Sequence, residues 1–175
     1  RMIKTTAAYK EALKEKGIFH HKVIINFPDG SNDTVEDLDI YTLQISEGTS
    51  NTSSFDLGAA IAQQLTLKLN NIDGRFDEHD FNGAVIIVQV GLELLNGAVE
   101  WLDKGKFTAE PGEESGNSIS VKAFDDMTKF DQPYSLSKLV YPATLGIIVR
   151  DACSCCGVTL ASDTATFDND NFIVQ

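Results

Sequence analysis

The sequence predicts a mainly β (α+β) protein, an antiparallel β-barrel or sandwich carrying one helix at its start and another near its end. Three observations lead there. Apolar and polar residues alternate with period two in about seven segments; Pro-Asp-Gly and Asn-Gly turn sequences separate neighbouring segments; and only two stretches carry a helical period. Strands joined by short turns pair antiparallel, whereas parallel strands need long crossovers.

Residues 5–16 read as the first helix, with Ala8, Tyr9, Ala12 and Leu13 on one face and Lys10, Glu11, Lys14 and Glu15 mostly on the other. Gly17 then stands where a helix ends in a left-handed residue. The apolar stripe is narrow, so this helix needs a surface to dock on. From Val23 the period becomes two: Val23, Ile25 and Phe27 alternate with Ile24 and Asn26, and Pro28-Asp29-Gly30 turns the chain into a hairpin. Tyr41, Leu43 and Ile45 make the next half-buried strand, and Leu65, Leu67 and Leu69 another. Between them, residues 48–54 are small and polar and read as an exposed loop.

Residues 86–95 begin apolar on both faces, as a strand covered on two sides does. Asn96-Gly97 is expected to reverse the chain through a type I′ turn into a strand over 99–103. A separate strand over 106–110, a polar loop over 111–117 and a strand built on Ile119, Val121 and Ala123 follow. The second helix runs over 142–156: Pro142 fits its first turn, Leu145, Ile148, Val149 and Ala152 share a face, and Gly157 closes it. Residues 172–174 read as a last strand in need of a partner.

The chain has 175 residues, 14 Lys+Arg against 26 Asp+Glu, and a formal charge of −12. That balance removes the phosphate attraction on which electrostatic nucleic-acid binders depend. No run approaches the ~20 apolar residues of a membrane helix, and no signal-peptide pattern opens the chain. The expectation is a soluble protein made in a reducing cytoplasm, without membrane insertion. Arg1 ahead of Met2 points to a native start at Met2.

Candidate chemistry is sparse. Cys153 and Cys156 are spaced as C-x-x-C, with Cys155 between them, but they fall at a helix C-terminus, where the dipole disfavours thiolate. They read as structural thiols. Zinc would need a further ligand from His20, His21 or His79, none at finger spacing. The acids Asp73, Asp77, Glu78 and Asp80 precede or follow Gly74 in an order that fails the calcium-loop pattern, and read as a solvated loop. The Asp168-Asn169-Asp170-Asn171 run reads as a polar turn. No nucleophile motif and no Gly-rich phosphate loop occurs, so no catalytic, cofactor-binding or metal-ligating residue is nominated.

The order of short phrases carries more. Ser54-Phe55-Asp56-Leu57-Gly58-Ala59-Ala60 leads to Leu65-Thr66-Leu67-Lys68-Leu69-Asn70-Asn71, Asp73-Gly74-Arg75-Phe76-Asp77 and Asp80-Phe81-Asn82-Gly83-Ala84. Val90-Gly91-Leu92, Gly105-Lys106-Phe107-Thr108, Ala123-Phe124-Asp125-Asp126-Met127-Thr128-Lys129-Phe130-Asp131, Pro133-Tyr134 and Tyr141-Pro142-Ala143-Thr144-Leu145 follow. This succession resembles the N-terminal part of tail and baseplate hub proteins of phages and prophages infecting Gram-positive bacteria. The resemblance implies a virion structural protein without enzymatic activity or cofactor, in the virion tail after synthesis in the bacterial host cytoplasm.

It also implies a tail-tube-like β-barrel over residues 1–135 and, over 136–175, the start of an incomplete second hub domain. The implied assembly is a homotrimeric ring around the DNA channel, with tail-tube or distal-tail proteins and the tape-measure protein as partners. Two rival functions stay open: a cell-wall-degrading glycosidase or peptidase segment, and a stand-alone carbohydrate-binding β module. Chance alone supplies carboxylate pairs among 26 acids, while Trp101 and four Tyr give a carbohydrate binder little to stack with.

Overall fold

The computed structural model describes residues 4–15, 17–46, 62–132, 134, 137–160 and 169–175. The polar segment 48–54, the phrase 54–60 and Asp168 lie outside the described residues. Two compact units divide the chain, Arg1–Asp125 and Asp126–Gln175. The first contains helix α1 (Ala7–Glu15), β1 (Phe19–Asn26), β2 (Asn32–Glu36), a 3₁₀ turn (Asp37–Asp39), β3 (Ile40–Ser46), β4 (Gln64–Asn70), β5 (Val85–Glu93), β6 (Val99–Ala109), β7 (Glu113–Ser115) and β8 (Ser118–Phe124).

All strands of this unit join one antiparallel 8-stranded sheet, in the order β2-β1-β5-β6-β8-β4-β3 with β7 added beside β8. The mainly antiparallel β fold with two helices is as expected. Closure into a barrel is not: among the described residues β2 and β3 remain as edges. The sheet instead folds over on itself. Val23, Ile25 and Val88 from one half share a single buried cluster with Leu65, Leu67, Leu69 and Val121 from the other. The turn between halves lies at β6 and β8, where Thr108 pairs with Phe124 and Ala109 with Ala123, and Glu110 N–H just beyond donates to Lys122 O at 2.8 Å.

Where two strands are expected over 99–103 and 106–110, the chain forms one, Val99–Ala109. It continues through Gly105 because one extra residue relieves its sidedness conflict: Gly105 lies opposite Val88 and Asp103 opposite Gln89, leaving Lys104 unpaired. Leu102 and Phe107 are an odd number of residues apart and would face opposite sides of a regular strand. The bulge puts both on the inner face, opposite Val90 and Ile86. Gly105 is required there, since a Cβ would sit 2.6 Å from the Phe107 ring.

The Asn96-Gly97 reversal also differs in detail. Only Gly97 is left-handed (φ 81°), and Leu94 N–H donates to Ala98 O at 2.7 Å, so the loop is Leu95-Asn96-Gly97 rather than a two-residue type I′ turn. Within the expected polar loop 111–117, residues Glu113–Ser115 form β7 and return through Gly116 (φ 60°). The outward residues Ile24, Ile87 and Val85 of the central strands are half-buried, so the outer side of β5 is covered only in part.

Helix α1 docks where its narrow stripe requires. Tyr9 and Ala12 are buried against Leu92 of β5, with Leu94 and Leu102 alongside. Thr6 caps it by accepting from Tyr9 N–H at 3.1 Å, and Glu100 of β6 accepts both the Thr6 N–H and its hydroxyl. Gly17 is not left-handed; it leaves room for Phe19 and Leu92, which a Cβ would approach at 3.2 and 3.3 Å.

The second unit holds a 3₁₀ turn (Asp126–Phe130), β9 (Ala143–Thr144), α2 (Leu145–Cys155) and β10 (Ile173–Val174), and β10 pairs antiparallel with β9. The helix starts later than Pro142 because Ala143 and Thr144 are engaged by β10, and Thr144 then caps α2 by accepting from Ile147 N–H at 3.3 Å. Gly157 (φ 66°) closes it, with Val158 N–H donating to Cys153 O at 2.8 Å.

Trp101 tests the outer face. It is half-buried there, beside Gly91 and under the Lys22 ammonium, 3.9 Å from the ring centroid. A Cβ at Gly91 would lie 2.4 Å from Val99 Cγ1 and 2.8 Å from the Trp101 ring. Gly91→Ala is therefore expected to destabilise the protein by about 1–3 kcal/mol in chemical denaturation.

Candidate functional site

The acids of the segment between β4 and β5 are local fasteners. Asn71, itself buried, donates to Asp77 Oδ1 at 2.7 Å and accepts from Phe76 N–H at 3.0 Å. Asp73 accepts from Arg75 N–H and Asp80 from Asn82 N–H, so both serve turns. Phe76 and Phe81 enter the core edge to face, with ring centroids 5.6 Å apart. Among the described residues no group of three or more His, Cys, Asp or Glu is arranged to hold a metal ion.

Arg75, on the same segment, bridges the interval between the two sheet edges. Its Nη2 meets Asp33 Oδ1 of β2 at 2.6 Å, Nε meets Asp33 Oδ2 at 2.9 Å, and Nη1 meets Asp39 Oδ2 of the 3₁₀ turn at 3.3 Å. A planar guanidinium supplies this fork, which an ammonium does not. Asn70 of β4 adds a bond to Asp39 Oδ1 at 3.3 Å.

The two edges differ in chemistry. β2 is five residues long and carries Asp33 and Glu36, which discourage a further strand. β3 is seven residues long and carries no charge at all: Ile40-Tyr41-Thr42-Leu43-Gln44-Ile45-Ser46. Tyr41 is the extra residue of a bulge against β4 and is exposed, as are Leu38 just before it and Ile72 just past β4. Leu38 is 93% exposed, an unusual position for a leucine without a partner.

The histidines are split between two places. His79 stacks on Phe27 at 4.2 Å between centroids, near Ser31 and Asp29. His20 and His21 of β1 converge on Asp37. This convergence escapes a sequence reading, because adjacent strand residues point to opposite faces.

The cysteines lie on and just after the last turn of α2. Cys153 is buried, Cys155 and Cys156 half-buried, and all three are free. Burial pushes the Cys153 thiol up, and burial together with Asp151 pushes Cys155 up, which keeps both protonated at neutral pH. Cys155 and Cys156 line an apolar pocket of about 320 Å³ with Phe130, Gln132, Tyr134, Ile148 and Ala152. At its side Asp151 accepts from Ser137 at 2.6 Å and from the Tyr134 hydroxyl at 2.5 Å; these bonds hold the carboxyl below its usual range and the phenol above its own.

No protein-family model matches the sequence, and no curated protein matches it. Among solved structures the fold is similar to a chain of the virion of a native gene transfer agent particle, with a TM-score of 0.55 and 10% identity over 79% of this chain. The match covers 50% of that chain, so the present chain spans about half its length. Likeness at this identity is one of fold.

The segment between β4 and β5 yields a ranking of effects. Phe76→Ala removes a fully buried ring and is expected to cost about 3–5 kcal/mol. Arg75→Ala removes a mostly buried fork and should cost less, about 1–3 kcal/mol, with Arg75→Lys recovering little. Urea denaturation of the three variants measures the order.

Proposed function

We propose that this protein is a structural component of a phage-like tail: a baseplate hub subunit that forms a homotrimeric ring below the tail tube, around the path of the DNA. The observation that carries this reading is the likeness of fold to a virion chain across 79% of the present chain. The ordered phrases described above supply the hub and the Gram-positive host, and with them tail-tube or distal-tail proteins and the tape-measure protein as neighbours. Residues 1–135 would be the tube-like domain and 136–175 the start of a second one.

The uncharged strand β3 supports the assembly part of the reading. In a chain of net charge −12, a seven-residue neutral edge that exposes Tyr41 and is preceded by exposed Leu38 is a surface that another strand can extend. The overall negative charge suits a lumen that must not hold DNA by counterion release. The carbohydrate-binding alternative loses its main ligand face, since Trp101 lies on Gly91 with Lys22 over its ring.

Sedimentation of the protein over a range of concentrations, alone and with tail-tube protein, tests this reading. The expected outcome is a trimer weakened roughly tenfold or more, about 1.4 kcal/mol, by Tyr41→Lys with Gln44→Lys. A monomer under every condition would overturn the ring. Incubation with purified peptidoglycan is expected to release nothing, and soluble fragments would favour the hydrolase reading instead.

A further inference from the structure

The end of β1 holds an arrangement that ring assembly does not explain. The last register pair between β1 and β2 is Lys22 with Glu36; Asp37 follows at the start of the 3₁₀ turn. Its Oδ1 accepts from the His21 backbone N–H at 2.7 Å and lies 3.0 Å from His21 Nδ1, while Oδ2 lies 2.9 Å from His20 Nδ1. From the opposite flank, Glu93 of β5 brings Oε2 to 3.5 Å from His20 Nε2. One imidazole thus stands between two carboxylates. A neutral imidazole has one N–H and one lone pair, so in either tautomer a lone pair would face a carboxylate oxygen. Only the imidazolium satisfies both sides.

The same turn is held at its far end by a group that does not titrate. Arg75 and Asn70 bind Asp39, and a guanidinium keeps its charge at every accessible pH. The other charges nearby are engaged locally, Lys22 with Glu36 at 3.3 Å and Glu100 with Thr6.

We propose that His20 is a proton-operated fastener: charged, it joins the turn at Asp37 to Glu93 of β5, and neutral, it holds only one of the two carboxylates, leaving the turn to the His21 amide at Asp37 and to Arg75 at Asp39 and loosening the chain that enters β3. This stands independently of the assembly reading. The hydrogen bond from Asp37 raises His20 above the ordinary imidazole value of 6.5 against the opposing effect of burial, and Glu93 adds to the rise. Burial works against the Asp37 carboxylate, but its bonds from His20 and His21 hold it below its usual range. A folded-state value above the unfolded one gives a contribution fully present below about pH 6.5, lost as the pH rises through the folded midpoint.

NMR of the whole chain from about pH 5 to about pH 9 tests this, following the ring nitrogens of His20 and the backbone amides of His21 and Leu38. In wild type and in His21→Gln, where one imidazole of the pair titrates, His20 is expected to show a midpoint above 6.5 that both amides follow. Glu93→Gln should lower the midpoint without disturbing the bond from the residue 21 amide to Asp37, and His20→Gln should abolish the pH response of the amides in the His21→Gln background. A His20 midpoint at or below 6.5, or amides that ignore it, would overturn the proposal.

Discussion

The inner face of this protein depends on one unpaired residue. β6 must serve two apolar clusters, Leu102 beneath α1 and Phe107 in the main core, and their odd spacing would set them on opposite sides of the sheet. The bulge at Lys104 resolves the conflict, and the bare Cα of Gly105 leaves space for the Phe107 ring. Without that extra residue, either α1 would lose its floor or the core would lose a fully buried aromatic. The helix, the central strands and the core therefore depend on one local irregularity. Its sequence mark is only a glycine among the charged residues Asp103, Lys104 and Lys106.

Arg75 binds carboxylates on both sides of the interval between the sheet edges, so an open sheet acquires a tie where a closed barrel would have a ladder. The two edges are then left chemically unlike, one short and acidic, the other long and neutral. A surface that repels a strand on one side and admits one on the other has a direction. Directed surfaces suit rings better than face-to-face pairs, because a head-to-tail contact can close under rotation.

The sequence revealed most where pattern and structure share a period. The alternation of Leu65, Leu67 and Leu69 marks a buried strand, Pro28-Asp29-Gly30 marks the hairpin of β1 and β2, and Gly157 marks the end of α2. It revealed less where a residue acts against its local pattern. The division of 99–110 into two strands treated Gly105 as a break when it is part of a bulge, and Pro142 drew the helix start toward itself although Thr144 holds the cap. The acids around Gly74 were legible as solvated, yet their partner Arg75 reaches across 42 residues to Asp33, beyond any local window. His20, Asp37 and Glu93 meet for the same reason: only the sheet register brings them together.

The seam between β6 and β8 bears on how this molecule tolerates deformation. Ladders of seven to nine residue pairs hold β5 to β6 and β4 to β8, but two pairs hold the halves to each other. Across that line backbone bonds are few, the two pairs and the bond from Glu110 N–H to Lys122 O, and most cohesion comes from side-chain packing, which has no direction. The sheet can therefore change its curvature there while every long ladder keeps its register. That line is a crease along which the curvature of the sheet can be set without breaking a long ladder.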